Sequence, residues 1–127
     1  MTTVADIMSR DVFTVGVDDR LDAVSWTLNA ELVSGAPVCD RAGRVVGMIS
    51  KTDIVEAKKP LAMTRASDAM SDGVWCVRPT DAARDVVKLM ADKNLHRVLV
   101  VEGYGAPVGI VTAMDVVKTV ARGTVLS

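Results

Sequence analysis

The sequence predicts an α/β (α+β) fold built from two pseudo-symmetric β-α-β-β-α repeats packed through their sheets. The chain has 127 residues, half of them hydrophobic, and its pattern recurs after 62 residues. Aromatic residues make up only 3% of the chain. Its valine-rich runs are therefore typical of strands buried on both faces. Because one repeat of about sixty residues buries only a modest core, we expect the two sheets to cover each other and to leave clefts between the repeats.

The internal repeat is visible without gaps at a fixed offset. Asp6-Ile7-Met8-Ser9 aligns with Asp68-Ala69-Met70-Ser71. A chance similarity would need gaps or would fade along the chain. The later identical pairs are Val12/Val74, Val15/Val77, Asp19/Asp81, Val24/Val86, Val38/Val100, Gly47/Gly109, Asp53/Asp115 and Val55/Val117.

Each repeat contains the same elements in the same order. Apolar residues at three- and four-residue steps, such as Leu21, Val24, Leu28 and Leu32, predict an amphipathic helix. Thr80 is the expected N-cap of the corresponding helix in the second repeat. The predicted elements are a helical lead-in (4–9 and 66–71), a strand (12–15 and 74–77), the amphipathic helix, two strands (36–39 and 45–50; 98–101 and 108–112) and a closing helix (52–57 and 114–122).

The repeats define the expected domains. Residues 1–57 form the first, 58–65 the linker and 66–127 the second. Lys58-Lys59-Pro60 interrupts the apolar pattern between them.

Composition excludes several classes of function. Fifteen basic and sixteen acidic residues leave a net charge of −1, with no basic stripe of the kind that nucleic-acid binders carry. The apolar runs are too short for a membrane span, and no signal peptide is expected at the start of the chain. Cys39 and Cys76 lie in strand-like runs, which favours buried, reduced thiols in a cytoplasmic protein.

A motif of the form G-h-h-[ST]-x-x-D, where h is apolar, ends the third strand of each repeat. It reads Gly47-Met48-Ile49-Ser50-Lys51-Thr52-Asp53, and again Gly109-Ile110-Val111-Thr112-Ala113-Met114-Asp115. A hydroxyl at a helix start can hold phosphate oxygens together with the free N–H groups. A carboxylate three residues later can accept both hydroxyls of a ribose, and the glycine is expected to keep bulk away from the ligand.

A second interpretation needs no ligand. Ser/Thr-x-x-Asp before a helix closely matches the capping box, in which the two side chains bond each other's backbone N–H groups. Both interpretations can hold together.

The repeat order, the paired motifs and the segment Ser34-Gly35-Ala36-Pro37-Val38 resemble tandem CBS domains, a pair also called a Bateman module. The resemblance covers residues 4–122. It implies a disc-like dimer that binds AMP, ADP, ATP or a related adenosyl compound such as S-adenosylmethionine between the repeats. It also places Ser50 and Thr112 near phosphate or ribose, and Asp53 and Asp115 on the ribose hydroxyls.

The resemblance implies further phosphate and adenine contacts. A His-Arg pair before the second strand contacts phosphate in the family. It occurs here as His96-Arg97, whereas the first repeat has Ser34-Gly35 at the aligned positions and lacks the pair. Lys51 lies inside the first motif and is a further candidate. The residues implied for adenine, which as apolar strand residues also fit a core, are Thr14, Val15, Ala36, Pro37, Cys76, Val77 and Val98.

The predicted function is a non-enzymatic adenine-nucleotide sensor. The single histidine and the lack of a Ser-His-Asp, Cys-His or metal-binding arrangement argue against an enzyme and against a metal or cofactor. A ligand-free dimerisation module acting through another protein is the alternative. The high apolar content predicts a homodimer through the amphipathic helices, in which Trp26 is a candidate contact. Trp75 fits either a cleft or a cap over the core.

Overall fold

Two three-stranded sheets contain all the strands of the computed structural model, which describes residues 1–126. In chain order the elements are α1 (Val4–Ile7), β1 (Val15–Gly16), α2 (Leu21–Ala30), β2 (Gly35–Cys39), β3 (Val45–Ser50), α3 (Lys51–Val55), a 3₁₀ turn (Leu61–Met63), α4 (Ala66–Ala69), β4 (Cys76–Val77), α5 (Ala83–Lys93), β5 (Arg97–Glu102), β6 (Ala106–Thr112) and α6 (Ala113–Ala121).

The chain divides into two compact units. Phe13–Val74 forms the first, which we call the central unit. Met1–Val12 and the chain from Trp75 onward form the second, which we call the terminal unit. Both units have the mixed α/β character expected from the sequence.

The central unit contains the sheet β1-β2-β3, with β1 parallel and β3 antiparallel to β2. Its core lies between this sheet and the apolar face of α2. Gly35 lies opposite Ser50 in the register, which places the start of β2 beside the end of β3. The buried residues of this core are Val15, Leu21, Val24, Leu28, Ala36, Val38, Ile49, Ile54 and Ala66.

The terminal unit repeats this topology with the sheet β4-β5-β6. Arg97 lies opposite Thr112, as Gly35 lies opposite Ser50 in the central unit. Its core includes two side chains from the start of the sequence. The buried residues are Val4, Ile7, Ala83, Val86, Met90, Val98, Val100 and Val111.

The lead-in helices are exchanged between the sequence repeats. The Val4 N–H donates to the Asp81 carbonyl at 2.9 Å, so α1 packs in the unit that contains the second repeat's sheet. The Ala66 N–H donates to the Asp19 carbonyl at 2.7 Å, which places α4 in the unit of the first repeat's sheet. The compact units therefore do not coincide with the sequence repeats.

Three local expectations were wrong. Leu32 was expected on the apolar face of the first amphipathic helix, but α2 ends at Ala30 and Leu32 is exposed. Its φ is +57°, the left-handed conformation that Asn94, the aligned residue of the second repeat, also adopts. Thr80 does not cap α5, because the helix starts at Ala83 and its N-cap is Ala82. The first strands are shorter than expected, since only two residues of each form a ladder.

No helix within residues 1–126 combines the length and the apolar character that a membrane span requires.

Candidate functional site

The first strand-end motif forms a complete capping box. Ser50 ends β3 and is the N-cap of α3. Its N–H donates to Asp53 Oδ2 at 2.9 Å, and the Asp53 N–H donates to Ser50 Oγ at 3.2 Å. The Ser50 hydroxyl also bonds Asp53 Oδ2 at 3.0 Å. These bonds hold the half-buried carboxylate at the helix start through its Oδ2 atom.

The second motif repeats this geometry at the start of α6. The Thr112 N–H donates to Asp115 Oδ2 at 2.9 Å, and the Asp115 N–H donates to Thr112 Oγ1 at 3.1 Å. Asp115 is also half-buried. The capping interpretation is confirmed in both repeats, and in both motifs the N-cap N–H donates to the Oδ2 atom of the aspartate.

The other aspartates shared by the repeats have the same local function. Asp19 Oδ2 accepts the Gly16 N–H and Asp81 Oδ2 accepts the Arg78 N–H, both at 2.8 Å. Each carboxylate satisfies a backbone donor three residues earlier, as the side chains of Asp6 and Asp68 also do. Backbone capping thus accounts for the recurrence of all these aspartates, including the two in the motifs.

The motif glycines make room for neighbouring protein atoms, a function that the sequence did not indicate. A Cβ on Gly47 would lie 2.6 Å from Met70 Sδ and 2.9 Å from the Ser71 carbonyl oxygen. A Cβ on Gly109 would meet Met8 Sδ at 2.6 Å. Each glycine is buried under the methionine that follows a lead-in helix. The lead-in segment also pairs with the motif strand, through bridges such as Met48↔Ser71.

The candidate cations lie close to the ends of these strands. Lys51 is exposed at the first position of α3, and its N–H donates to the Ser34 carbonyl at 2.9 Å. In the terminal unit the His96 carbonyl accepts the Ala113 N–H at 3.0 Å, and Arg97 pairs with Thr112 across the ladder. The fold therefore brings His96 and Arg97 to the start of α6, where Thr112 and Asp115 lie.

The residues suggested for adenine differ in their exposure. Val15 and Ala36 belong to the core of the central unit, and Val98 belongs to the core of the terminal unit. Pro37 is buried and Val77 is half-buried, whereas Thr14 and Cys76 are exposed. The side chains of Thr14 and Cys76 are therefore accessible at the protein surface, while the core residues could contact a ligand only through main-chain atoms.

The two thiols differ in a way that the sequence did not indicate. Cys39 is buried as expected, but Cys76 is exposed, which corrects the expectation of two buried thiols. Burial raises the pKa of the Cys39 thiol, and a hydrogen bond from Thr14 partly offsets the effect. Desolvation also raises the pKa of Cys76. Neither thiol is therefore activated as a nucleophile at neutral pH.

Trp75 lies beside Cys76 in the terminal unit. Its ring is covered by Lys93 Nζ, 5.7 Å from the ring centroid. An ammonium at this distance from an indole ring forms a cation–π contact. Trp75 is partly exposed, and one face of its ring is covered by Lys93, the last residue of α5.

A cavity of about 500 Å³ in the central unit is lined by Asp53 of the first motif and also by Lys58, Lys59 and Thr64, for which the sequence predicted only a linker. Within residues 1–126, no group of three or more His, Cys, Asp or Glu side chains is arranged to hold a metal ion. The residues that line the cavity are Asp53, Glu56, Ala57, Lys58, Lys59, Thr64, Asp68 and Ala69.

Comparison with known proteins agrees with this architecture. An uncharacterized protein of Methanocaldococcus jannaschii is 35% identical over 105 residues, which cover 80% of this chain and 25% of that protein. The chain thus spans about a quarter of the length of this relative.

Two solved structures cover almost the whole chain. CBSX2 in complex with AMP is 26% identical, with a TM-score of 0.83, covering 96% of this chain and 98% of that one. The CBS domain pair of protein MJ0100, in complex with 5′-methylthioadenosine and S-adenosyl-L-methionine, is 26% identical with a TM-score of 0.82, and the coverage is 98% and 99%.

The CBS domain family model matches twice, at residues 4–59 and 66–122. Together with the duplicated sheet and the duplicated capping box, these matches show that the chain belongs to the CBS domain family and carries a tandem pair of CBS domains.

Proposed function

We propose that this CBS pair is a non-catalytic sensor that binds an adenosine-containing ligand such as AMP, ADP, ATP or S-adenosylmethionine. The observation that carries the proposal is the pair of half-buried carboxylates, Asp53 and Asp115, fixed at the ends of equivalent strands. The AMP complex of CBSX2 and the adenosyl complexes of MJ0100 support this class of ligand.

In this proposal each carboxylate has two functions. Oδ2 bonds the backbone N–H of the N-cap residue, and Oδ1 accepts the ribose hydroxyls. A carboxylate has about four lone-pair sites, so one group can cap a helix and hold a ribose together. Capping also fixes the rotamer of the side chain, which reduces the entropy lost when the ligand binds.

The terminal unit carries a His-Arg pair where the central unit has Ser34-Gly35. Thr112, His96 and Arg97 lie near the start of α6 together with Asp115. The planar guanidinium of Arg97 can bond two phosphate oxygens at once. In the central unit Ser50 and Lys51 have the corresponding role, without an arginine at position 35. We therefore propose that the site of Asp115 binds a phosphorylated ligand more tightly than the site of Asp53.

The adenine contacts are proposed mainly for Thr14 and Cys76, whose side chains are exposed. Main-chain atoms, or an apolar floor under the base, would come from Val15, Ala36, Pro37, Val77 and Val98.

The exposed apolar helix residues support a further proposal, that the chain is a homodimer. The two unpaired thiols are consistent with a cytoplasmic location. A dimerisation module without a ligand, acting through an unidentified regulated protein, is the second candidate function.

A melting scan separates these two functions. A ligand at about 100 times its dissociation constant adds about 2.7 kcal/mol to the free energy of unfolding. For a chain of this size, the melting temperature should rise by about 4 °C or more. AMP, ADP, ATP and S-adenosylmethionine should each be tested at millimolar concentration, with inorganic phosphate and ribose as controls. A melting temperature that none of the four adenosyl ligands changes would refute the sensor and leave the dimerisation module.

A further inference from the structure

The cavity of the central unit begins at the proposed ribose contact and follows one side of α3. Asp53, Glu56 and Ala57 line it at steps of three and four residues, a spacing that places side chains on one face of a helix. Lys58 and Lys59 come directly after this turn and also line the cavity. Its volume of about 500 Å³ lies within the range of small-molecule sites, about 300–1,000 Å³. A ligand held at Asp53 therefore has room to extend along α3 toward the two lysines.

The walls of the cavity carry charges of both signs. The carboxylates of Asp53, Glu56 and Asp68 line it together with the two lysine ammonium groups. Asp53 Oδ2 and Asp68 Oδ2 accept backbone N–H groups at 2.9 and 3.3 Å. By contrast, no ion pair within residues 1–126 involves the side chain of Glu56, Lys58 or Lys59. These three charges are therefore available to a ligand.

The fold holds the lysine segment on both sides. Before it, the Ala57 N–H donates to the Ile54 carbonyl at 3.2 Å. After it, the hydroxyl of the buried Thr64 donates to the Pro60 carbonyl at 3.0 Å. The Thr64 carbonyl in turn accepts the Leu21 N–H at 2.9 Å. The main chain of the lysines is therefore in place before a ligand binds, which reduces the entropy lost on binding.

The second repeat has different charges at the aligned positions. At the 62-residue offset Lys118 corresponds to Glu56, and Val120 and Ala121 correspond to the two lysines. In the terminal unit Arg97 instead lies beside the start of α6. Because α3 and α6 are equivalent helices with different charges along them, we expect the two sites to select different ligands.

We propose that Glu56, Lys58 and Lys59 make the central site selective for an adenosyl ligand that carries an α-amino acid group, as S-adenosylmethionine does. Glu56 accepts from the α-ammonium group of the ligand, and the two lysines donate to its α-carboxylate. In this ligand a sulfur atom and a short carbon chain separate the ribose from the amino acid group, a span similar to one helical turn of about 5.4 Å. The selectivity rests on the ribose contact of Asp53 proposed above.

The charges of the ligands account for this selectivity. An α-amino acid group is zwitterionic and complements walls that carry both signs of charge. The triphosphate of ATP is wholly negative and would lie beside Glu56 and Asp68 as well as the lysines, which weakens its net attraction. The phosphorylated nucleotides therefore bind more tightly at the site of Asp115, and the chain responds to two classes of adenosyl ligand.

Calorimetric titration with four adenosyl compounds tests the selectivity. 5′-Methylthioadenosine has the adenosyl thioether but no amino acid group. S-adenosylhomocysteine has the amino acid group but not the positive sulfonium of S-adenosylmethionine, and AMP is the phosphorylated reference. S-adenosylmethionine and S-adenosylhomocysteine should each bind about fivefold or more tightly than 5′-methylthioadenosine.

Two variants assign this gain to the linker. Lys58→Ala/Lys59→Ala removes both ammonium groups, and Glu56→Gln removes a carboxylate at nearly constant size. Each should lower the affinity for S-adenosylhomocysteine by a larger factor than the affinity for AMP. Without ligand both should melt like the wild type, because all three side chains are exposed. Lys88→Ala, at an exposed position on α5 of the terminal unit, is the matched control and should change neither affinity.

The outcomes separate the selectivity from the sensor. If AMP binds but the two amino acid compounds bind no more tightly than 5′-methylthioadenosine, the selectivity is refuted and the sensor stands. Equal losses of affinity for AMP and S-adenosylhomocysteine in the lysine variant would also overturn the selectivity. If none of the four compounds binds, both the sensor and the selectivity are refuted.

Discussion

At the residue scale, the repeated aspartates share one structural function, the capping of a backbone N–H group three residues earlier. Asp53 and Asp115 satisfy the N–H groups of Ser50 and Thr112 through Oδ2. Asp19 and Asp81 form the same kind of local bond at positions where no ligand contact is proposed. Recurrence of an aspartate in this chain therefore identifies a backbone cap.

Asp115→Glu separates the capping function of this carboxylate from the ribose contact that we propose for it. Glutamate is the preferred residue at the third position of a capping box, so the free energy of unfolding without ligand should stay within about 0.5 kcal/mol of the wild type. The longer side chain moves the carboxylate by one bond into the space of the ribose. A charge-assisted hydrogen bond contributes about 1.5–3 kcal/mol, so affinity should fall about tenfold or more.

Calorimetric titration of the phosphorylated nucleotide that gives the largest melting shift measures this loss. Asp53→Glu is the matched control, with a smaller expected loss because the first repeat has Ser34-Gly35 in place of the His-Arg pair. Unchanged affinity in Asp115→Glu would show that the carboxylate only caps the helix.

At the element scale, the motif strands are fixed by the lead-in segments that cross them. Met70 lies against Gly47 on β3, and Met8 lies against Gly109 on β6. The bridges Met48↔Ser71 and Ser9↔Ile110 then add one antiparallel partner to each strand just before the motif hydroxyl. The position of each motif therefore depends on a segment that is distant in sequence.

Gly47→Ala tests this packing. The added Cβ meets both a side-chain sulfur and a main-chain oxygen, and overpacking of a filled site typically costs about 1–3 kcal/mol. Urea unfolding of the protein without ligand should show a loss of this size. The further change Met70→Ala should recover part of the loss through coupling between the two positions, but not the part due to the Ser71 carbonyl. A fully stable Gly47→Ala variant with weakened nucleotide binding would instead support the ligand-clearance interpretation.

At the scale of the whole molecule, the first twelve residues complete the terminal unit. Val4 is fully buried and Ile7 is 8% exposed, both in the core formed by Val86, Val98 and Val111. The Ala83 N–H also donates to the Thr2 carbonyl at 2.9 Å. The second sequence repeat therefore lacks part of its own core when it is taken alone.

Deletion of residues 1–12 should unfold the terminal unit. Burial of a Val or Ile side chain stabilises by about 1.5–3 kcal/mol, so the loss of two approaches the whole stability of a small domain. Circular dichroism should show a lower melting temperature and a reduced helix signal. Tyr104→Ala, at a position that is 94% exposed, is the control and should melt like the wild type. A truncated chain with the wild-type melting temperature would contradict this view of the core.

The sequence by itself determined the duplicated element order, because apolar periodicity and the recurrence of Gly47, Asp53 and their counterparts are local signals. It determined both capping boxes for the same reason, since Ser50 and Asp53 need only a helix start to find each other. It did not indicate that α2 ends before Leu32 or that Cys76 is exposed. Both features depend on the conformation of the segments that connect one helix or strand to the next.

Only the tertiary structure decided which lead-in packs on which sheet. Met8 and Met70 align at one offset, so the sequence cannot distinguish a lead-in that folds back on its own repeat from one that is exchanged. The hydrogen bonds from Val4 to Asp81 and from Ala66 to Asp19 show the exchange. The need for glycine in each motif also follows from the tertiary structure. The methionine sulfur that leaves no room for a Cβ belongs to a segment distant in sequence. A local sequence pattern carries no information about such a contact.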